Sequence, residues 1–168
     1  FKKEFINLDK EEFSLNKLDK ILNKGLSLII YSGKCNQINI NNSKFMKKLF
    51  KNNKKYFLCI ILGCKIDIDN KESISIFEYL NSHENKGSIA LFGSSTYQSY
   101  EAPNFFQKSF NDQIISKNRE FTIGELFFNS INDKNFLHED LGGESIYPDV
   151  YYYHLYGDPC CRYLLSKK

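Results

Sequence analysis

At 168 residues, with 42% hydrophobic and 15% aromatic content supplied by Phe and Tyr alone, the chain is the size of one domain and can bury a core. Its formal charge of +3 is small and dispersed, which excludes the basic footprint of a nucleic-acid binder. No apolar run approaches the ~20 residues that a membrane-spanning helix needs. Residues 14–25 predict a short amphipathic helix: Ser14 is the N-cap, Leu15, Leu18 and Leu22 share a face, and Gly25 suits the left-handed closing position. The run 26–32 is almost continuously apolar, the pattern of a strand covered on both faces. A helix over 41–51 follows, with Phe45, Met46, Leu49 and Phe50 on its buried side, and then a second buried strand over 56–62. Residues 73–82 predict a helix through Ile74, Ile76, Phe77 and Leu80, and 87–93 a third strand through Ile89, Ala90, Leu91 and Phe92. Helices are expected over 104–116 and 122–131, and a loop over 141–149 containing Gly142, Gly143 and Pro148. An aromatic strand is expected over 150–155, and a short one over 161–165 after the Gly157-Asp158-Pro159 turn. Strand and helix alternate from residue 14 to about 131, which implies right-handed crossovers and an α/β domain with a mostly parallel sheet flanked by helices. No repeat or linker interrupts the chain, so 1–168 is read as one domain.

Chemistry-bearing residues are few. Of the five cysteines, Cys59 lies inside a strand pattern and reads as a small hydrophobe, while Cys160 and Cys161 are adjacent and poorly placed to bridge each other. The odd number and the spacing fit neither a disulfide nor a zinc framework, which points to a reducing intracellular compartment. Cys64 stands at the end of a buried strand, where an α/β sheet gathers its functional groups, and is a candidate nucleophile. His83 falls in a polar loop, His138 in a charged segment and His154 in the aromatic strand. None has metal-like spacing with a carboxylate, and each is read as structural. Asp67, Asp69 and Glu72 alternate after Cys64 but lack the glycine of a calcium loop, so they are read as solvated loop charges. No cofactor or metal is expected. The tyrosines at 147, 151, 152, 153 and 156 are read as core plus rim and as a protein contact surface.

Five blocks in order give a more specific signal. The first is Gly25 leading through the strand at 26–32 to Ser32-Gly33-Lys34-Cys35. The second is Lys55-Tyr56-Phe57-Leu58-Cys59-Ile60-Ile61-Leu62-Gly63-Cys64. The third is Phe77-Glu78-Tyr79-Leu80 followed by Gly87-Ser88-Ile89-Ala90-Leu91-Phe92-Gly93-Ser94-Ser95-Thr96-Tyr97-Gln98. The last two are Ile123-Gly124-Glu125-Leu126-Phe127 and Tyr153-His154-Leu155-Tyr156-Gly157-Asp158-Pro159. Together they resemble the gingipain-like cysteine peptidases, family C25, of the caspase–hemoglobinase fold. The resemblance implies a three-layer caspase-like architecture. In such relatives strands preceding residue 22 complete the sheet, so it is expected to be incomplete at the N-terminal side and completed by upstream sequence or a second polypeptide.

The resemblance also assigns roles. Cys64 takes the nucleophile position, Lys34 the position of the family histidine in a Gly-His-Gly turn, and Cys35 that of the second glycine, whose backbone N–H serves with that of Cys64 as oxyanion donor. Ser94, Ser95, Thr96, Tyr97 and Gln98 take the place of a substrate-pocket wall. The departure at Lys34 is chemical. An exposed lysine titrates near ~10.4, so at neutral pH it is a cation that lowers a neighbouring thiol's pKa but does not accept its proton. The expectation is therefore a catalytically degenerate peptidase-fold domain that serves as a scaffold or protein-binding module. Its alternative is an active cysteine endopeptidase that uses Cys64 with a base from elsewhere (His83, His138 or His154, were the fold to bring one of them to Cys64) or from another chain. A flavodoxin-like ligand domain is a third reading. The implied partner is a polypeptide substrate or a protein, with no nucleic acid and no membrane span.

Overall fold

The computed structural model describes residues 24–25, 27–32, 56–65, 87–96, 98, 102–116, 120–133 and 152–163. Strands β1 (Leu28–Ser32), β2 (Phe57–Lys65), β3 (Ser88–Ser94) and β5 (Tyr153–Gly157) form one sheet in the order β1-β2-β3-β5. β1, β2 and β3 are parallel, with Leu28 opposite Leu58 and Cys59 opposite Leu91. β5 runs antiparallel to β3, from Ser94 opposite Tyr153 to Ala90 opposite Gly157. Helices α1 (Ala102–Ser116) and α2 (Ile123–Ile131) lie between β3 and β5 in the chain, and β4 (Phe121–Thr122) pairs antiparallel with β6 (Arg162–Tyr163) as a separate ribbon. The expected α/β architecture with a mainly parallel sheet flanked by helices is the one observed.

Strand alternation explains the apolar runs. Leu58, Ile60 and Leu62 share one core with Ala90, Phe92 and Tyr153 of the sheet and with Phe106, Phe110, Ile123 and Leu126 of the two helices. The intervening Phe57, Cys59 and Ile61 belong to the opposite face and are equally buried, so no position in this stretch of β2 is free to be polar. Buried Cys59 carries a testable consequence. Desolvation pushes its thiol up to about 12, and burial pushes the Tyr163 phenol to about 12 as well. Both groups hold their protons in the fold while the unfolded chain loses them. Their contribution is complete below the unfolded values and disappears as pH rises from ~8.5 toward 12. The urea midpoint should fall across that window, and the deficit of Cys59→Ala relative to the parent protein should narrow as it does. A constant deficit would contradict the assignment.

Local rules account for the helix ends. α2 starts from a capping box: the Thr122 hydroxyl accepts the Glu125 N–H at 3.1 Å while a Glu125 carboxylate oxygen accepts the Thr122 N–H at 2.9 Å. The Ile123 and Gly124 N–H groups donate to the carbonyls of Cys161 (2.8 Å) and Pro159 (2.9 Å), so the turn before β6 satisfies the rest of the helix start. Gly124 is needed there, because a Cβ would lie 2.9 Å from that of Pro159.

Several boundaries differ from expectation. α1 starts at Ala102, two residues early, because Pro103 is tolerated in a first turn where no intrahelical donor is required. The aromatic strand starts at Tyr153 rather than 150 and continues to Gly157, since pairing with β3 sets its limits. The strand expected at 161–165 is paired over Arg162–Tyr163. β2 continues three residues past 62, through Lys65. Gly25 has φ +87°, the left-handed value its closing position calls for. The helices expected over 41–51 and 73–82, most of that over 14–25, and the loop over 141–149 lie outside the described residues.

Candidate active site

Parallel pairing puts the C-terminal ends of β1, β2 and β3 at one edge of the sheet, and the antiparallel β5 brings its N-terminal end to the same edge. The edge therefore collects Ser32 from β1, Gly63-Cys64-Lys65 from β2, Ser94-Ser95-Thr96 from β3 and Tyr152-Tyr153-His154 from β5. Its register is irregular at one place. Ile61 is opposite Gly93 and Lys65 is opposite Ser94, so Leu62, Gly63 and Cys64 have no counterpart on β3. Such a bulge bends its strand and re-aims the residues within it, and bulges are frequent beside active sites. Cys64 thus lies within the irregular end of β2, level with the rows that contain His154 and Tyr153.

The loop after β3 is knit from inside. The buried Ser94 hydroxyl donates to the Thr96 carbonyl at 2.9 Å and accepts the Thr96 N–H at 3.1 Å. The Gln98 amide donates to the Ser94 hydroxyl and, at 3.3 Å, to that of Thr96. Ser94, Thr96 and Gln98 therefore spend their polar groups largely on one another, which fixes the loop's shape. Ser95 faces outward and ties the loop to β5. Its N–H donates to the Tyr152 carbonyl at 2.9 Å, and its hydroxyl lies 2.9 Å from His154 Nε2 and 3.5 Å from the same carbonyl. Tyr156 meets the His154 ring edge-on at 6.1 Å.

Among the residues expected to form the site, the structure brings together the backbone of Cys64 with Ser94, Ser95, Thr96 and Gln98 at one sheet edge. Lys34, Cys35 and Tyr97 lie outside the described residues, as do His83, His138, Asp67, Asp69 and Glu72. The edge also contains His154, expected to be structural, and Tyr152, one of the tyrosines expected in the core, the rim or a contact surface. Their signal is the direction of β5. Residue alternation reports which side chains share a face, but not which way a strand runs.

The other described cysteines behave differently. Cys160 is exposed. The Cys161 thiol donates to Asp158 at 3.4 Å, and burial with the adjacent carboxylate raises its pKa. Among the described residues, no group of three His, Cys, Asp or Glu is arranged to hold a metal ion, and no helix is long and apolar enough to cross a membrane.

Comparison with known proteins agrees with the fold. The model of peptidase family C25 matches residues 3–164. A complex of the pro- and mature domains of Porphyromonas gingivalis RgpB superposes with a TM-score of 0.68 at 17% identity, covering 90% of this chain and 37% of that one. The Arg-specific cysteine proteinase gingipain R (RgpB) gives 0.67 at 17% identity, covering 90% and 36%. A further structure, described as a protease, gives 0.64 at 17%, covering 84% and 36%. The chain thus spans little more than a third of the length of these proteins, and at this identity they establish the fold. No curated protein matches it. With the family model running through all the described strands, and with the sheet of a gingipain-type caspase-like fold, the chain belongs to peptidase family C25.

Proposed function

We propose that the sheet edge at the ends of β2 and β3 is a polypeptide-binding cleft of cysteine-peptidase type, with Cys64 in the nucleophile position and the Ser94–Gln98 loop as one wall. The observation that carries this reading is the bulge at Leu62-Gly63-Cys64, an irregularity at the one strand end where family membership calls for a nucleophile. The gingipain R structures it resembles are those of an Arg-specific cysteine proteinase, one of them in complex with a pro-domain, which supports a polypeptide as the occupant.

Position 34 decides what happens to that polypeptide if Lys34 acts alone. An ammonium stabilises a thiolate but does not collect its proton, so the domain binds without efficient turnover and serves as a scaffold. The second reading, an active endopeptidase, is favoured by His154 at the same edge. Both readings share the cleft, and a peptidyl chloromethyl ketone tests it. In a Cys160→Ser background, which removes one exposed competing thiol, the ketone should alkylate Cys64, as mapped by mass spectrometry. Cys64→Ala should abolish the adduct. Labelling that ignores Cys64→Ala, or none at all, would sink the cleft.

A further inference from the structure

We propose that β5 is a self-pairing edge, through which two copies of this chain join antiparallel about a two-fold axis at Leu155; the proposal is independent of the cleft reading above. Hydrogen-bond phase carries it. In an antiparallel ladder, residues that exchange bonds with one neighbour alternate with residues whose N–H and C=O face the other way. The Ser95 N–H donates to the Tyr152 carbonyl at 2.9 Å, and the register continues unbroken from there, with His154 opposite Gly93 and Tyr156 opposite Leu91. Tyr152, His154 and Tyr156 therefore turn their backbones to β3, while Leu155 turns its N–H and C=O outward. β5 ends the sheet on that side: among the described residues, no strand lies beyond it.

The edge lacks the devices that keep strands apart. β5 reads Tyr-His-Leu-Tyr-Gly, without lysine, carboxylate or proline, and its register with β3 contains no bulge. Charge decides the occupant. In a two-fold contact the strand meets itself reversed, so a charged residue would oppose a like charge from the other copy. β5 has no lysine, arginine or carboxylate to do so, which suits it to a second copy of this chain. Centring the pair on Leu155 overlaps the whole strand. Leu155 exchanges two hydrogen bonds with Leu155 of the second copy, and His154 stands opposite Tyr156 of that copy on each side of the axis. Leu155 packs on the core beneath the helices, so by alternation His154 and Tyr156 belong to the other face, where their rings meet edge-on at 6.1 Å. The axis brings that pair of rings against its copy, with Tyr152, 43% exposed, at the border. The result is one continuous sheet. Because the axis reverses strand direction, the two edges that collect Cys64 and Ser94 point in opposite directions.

The test combines sedimentation velocity with a disulfide trap. The chain should shift from monomer toward dimer between ~1 and ~200 µM, the range expected of a short strand contact. Leu155→Pro removes the outward N–H without taking a donor from the β3 ladder, so it should stay monomeric throughout, with circular dichroism checking that the fold is retained. The trap reads the register and does not depend on that variant. Opposed residues of a non-hydrogen-bonded pair have Cα atoms ~4.5 Å apart, within disulfide range. In a Cys160→Ser background, His154→Cys and Tyr156→Cys chains are mixed and oxidised with oxidised glutathione. Mass spectrometry should find a disulfide from position 154 of one chain to position 156 of the other, about tenfold more abundant than the interchain links at 154 or at 156 in either variant alone. A chain that stays monomeric at ~200 µM overturns the proposal. A dimer whose mixed variants form no 154–156 link overturns it as well, since that dimer uses another surface.

Discussion

Gly157→Ala should cost about 3 kcal/mol or more. Two effects combine at this position. The backbone has φ +127°, a conformation that L side chains rarely adopt, and an added Cβ would lie 2.7 Å from the Ile89 carbonyl oxygen and 2.9 Å from both Cα and Cβ of Ala90. The opposing atoms are backbone and a short side chain inside a paired strand, so they have nowhere to move. Urea unfolding followed by circular dichroism measures the loss, and a change under ~1 kcal/mol would show that the ladder relaxes more easily than its geometry implies. The site should suffer too. Gly157 anchors β5 at one end and His154 lies three residues away on the same strand, so loosened pairing should release the His154–Ser95 hydrogen bond along with the strand.

Phe92→Ala should cost ~3–5 kcal/mol, a large part of the 5–15 kcal/mol that holds a typical domain together. Phe92 is fully buried and central to an aromatic group, meeting Phe106 at 6.2 Å and Phe110 at 6.0 Å edge-on and Phe127 at 5.1 Å in a tilted arrangement. Those rings come from β3, α1 and α2, so truncation would remove contacts that bind both helices to the sheet. Phe128 is the natural control, one residue along α2 from Phe127 and 63% exposed. Phe128→Ala should stay within ~0.5 kcal/mol. Equal losses for the two variants would mean that the core is not centred where the burial indicates.

The parts of the fold that could be read in advance are those dictated by burial. β2 and β3 announce themselves because strands covered on both faces must be apolar at successive positions, and Phe57 through Leu62 is buried at every one, whereas β1 has the same apolar run but is only half-buried from Leu28 to Tyr31. α2 was legible from Thr122 and Glu125, whose spacing forms the capping box. What could not be read is whatever depends on pairing between distant segments. Gly63, Cys64 and Lys65 break the apolar run, so periodicity gives no hint that β2 continues through them or that its register with β3 shifts there. Nothing in the pattern of Tyr151 to Tyr156 fixes the direction of β5. A histidine alternating among tyrosines reads as ordinary surface until the antiparallel pairing places it at the mouths of the other strands. Ser94 illustrates the reverse case. The resemblance puts it in a substrate-pocket wall, and its hydroxyl is buried and consumed in holding Thr96 and Gln98.

The antiparallel placement of β5 also imposes an order of events on biosynthesis. The thiol is encoded at position 64, but the strand that seats His154 beside its edge runs to position 157. A ribosome must therefore translate more than ninety further residues before this edge is complete, and a nascent chain halted earlier carries β2 and β3 without the antiparallel strand that pairs with β3. Synthesis itself then acts as a timer, withholding the finished edge until β5 has paired with β3.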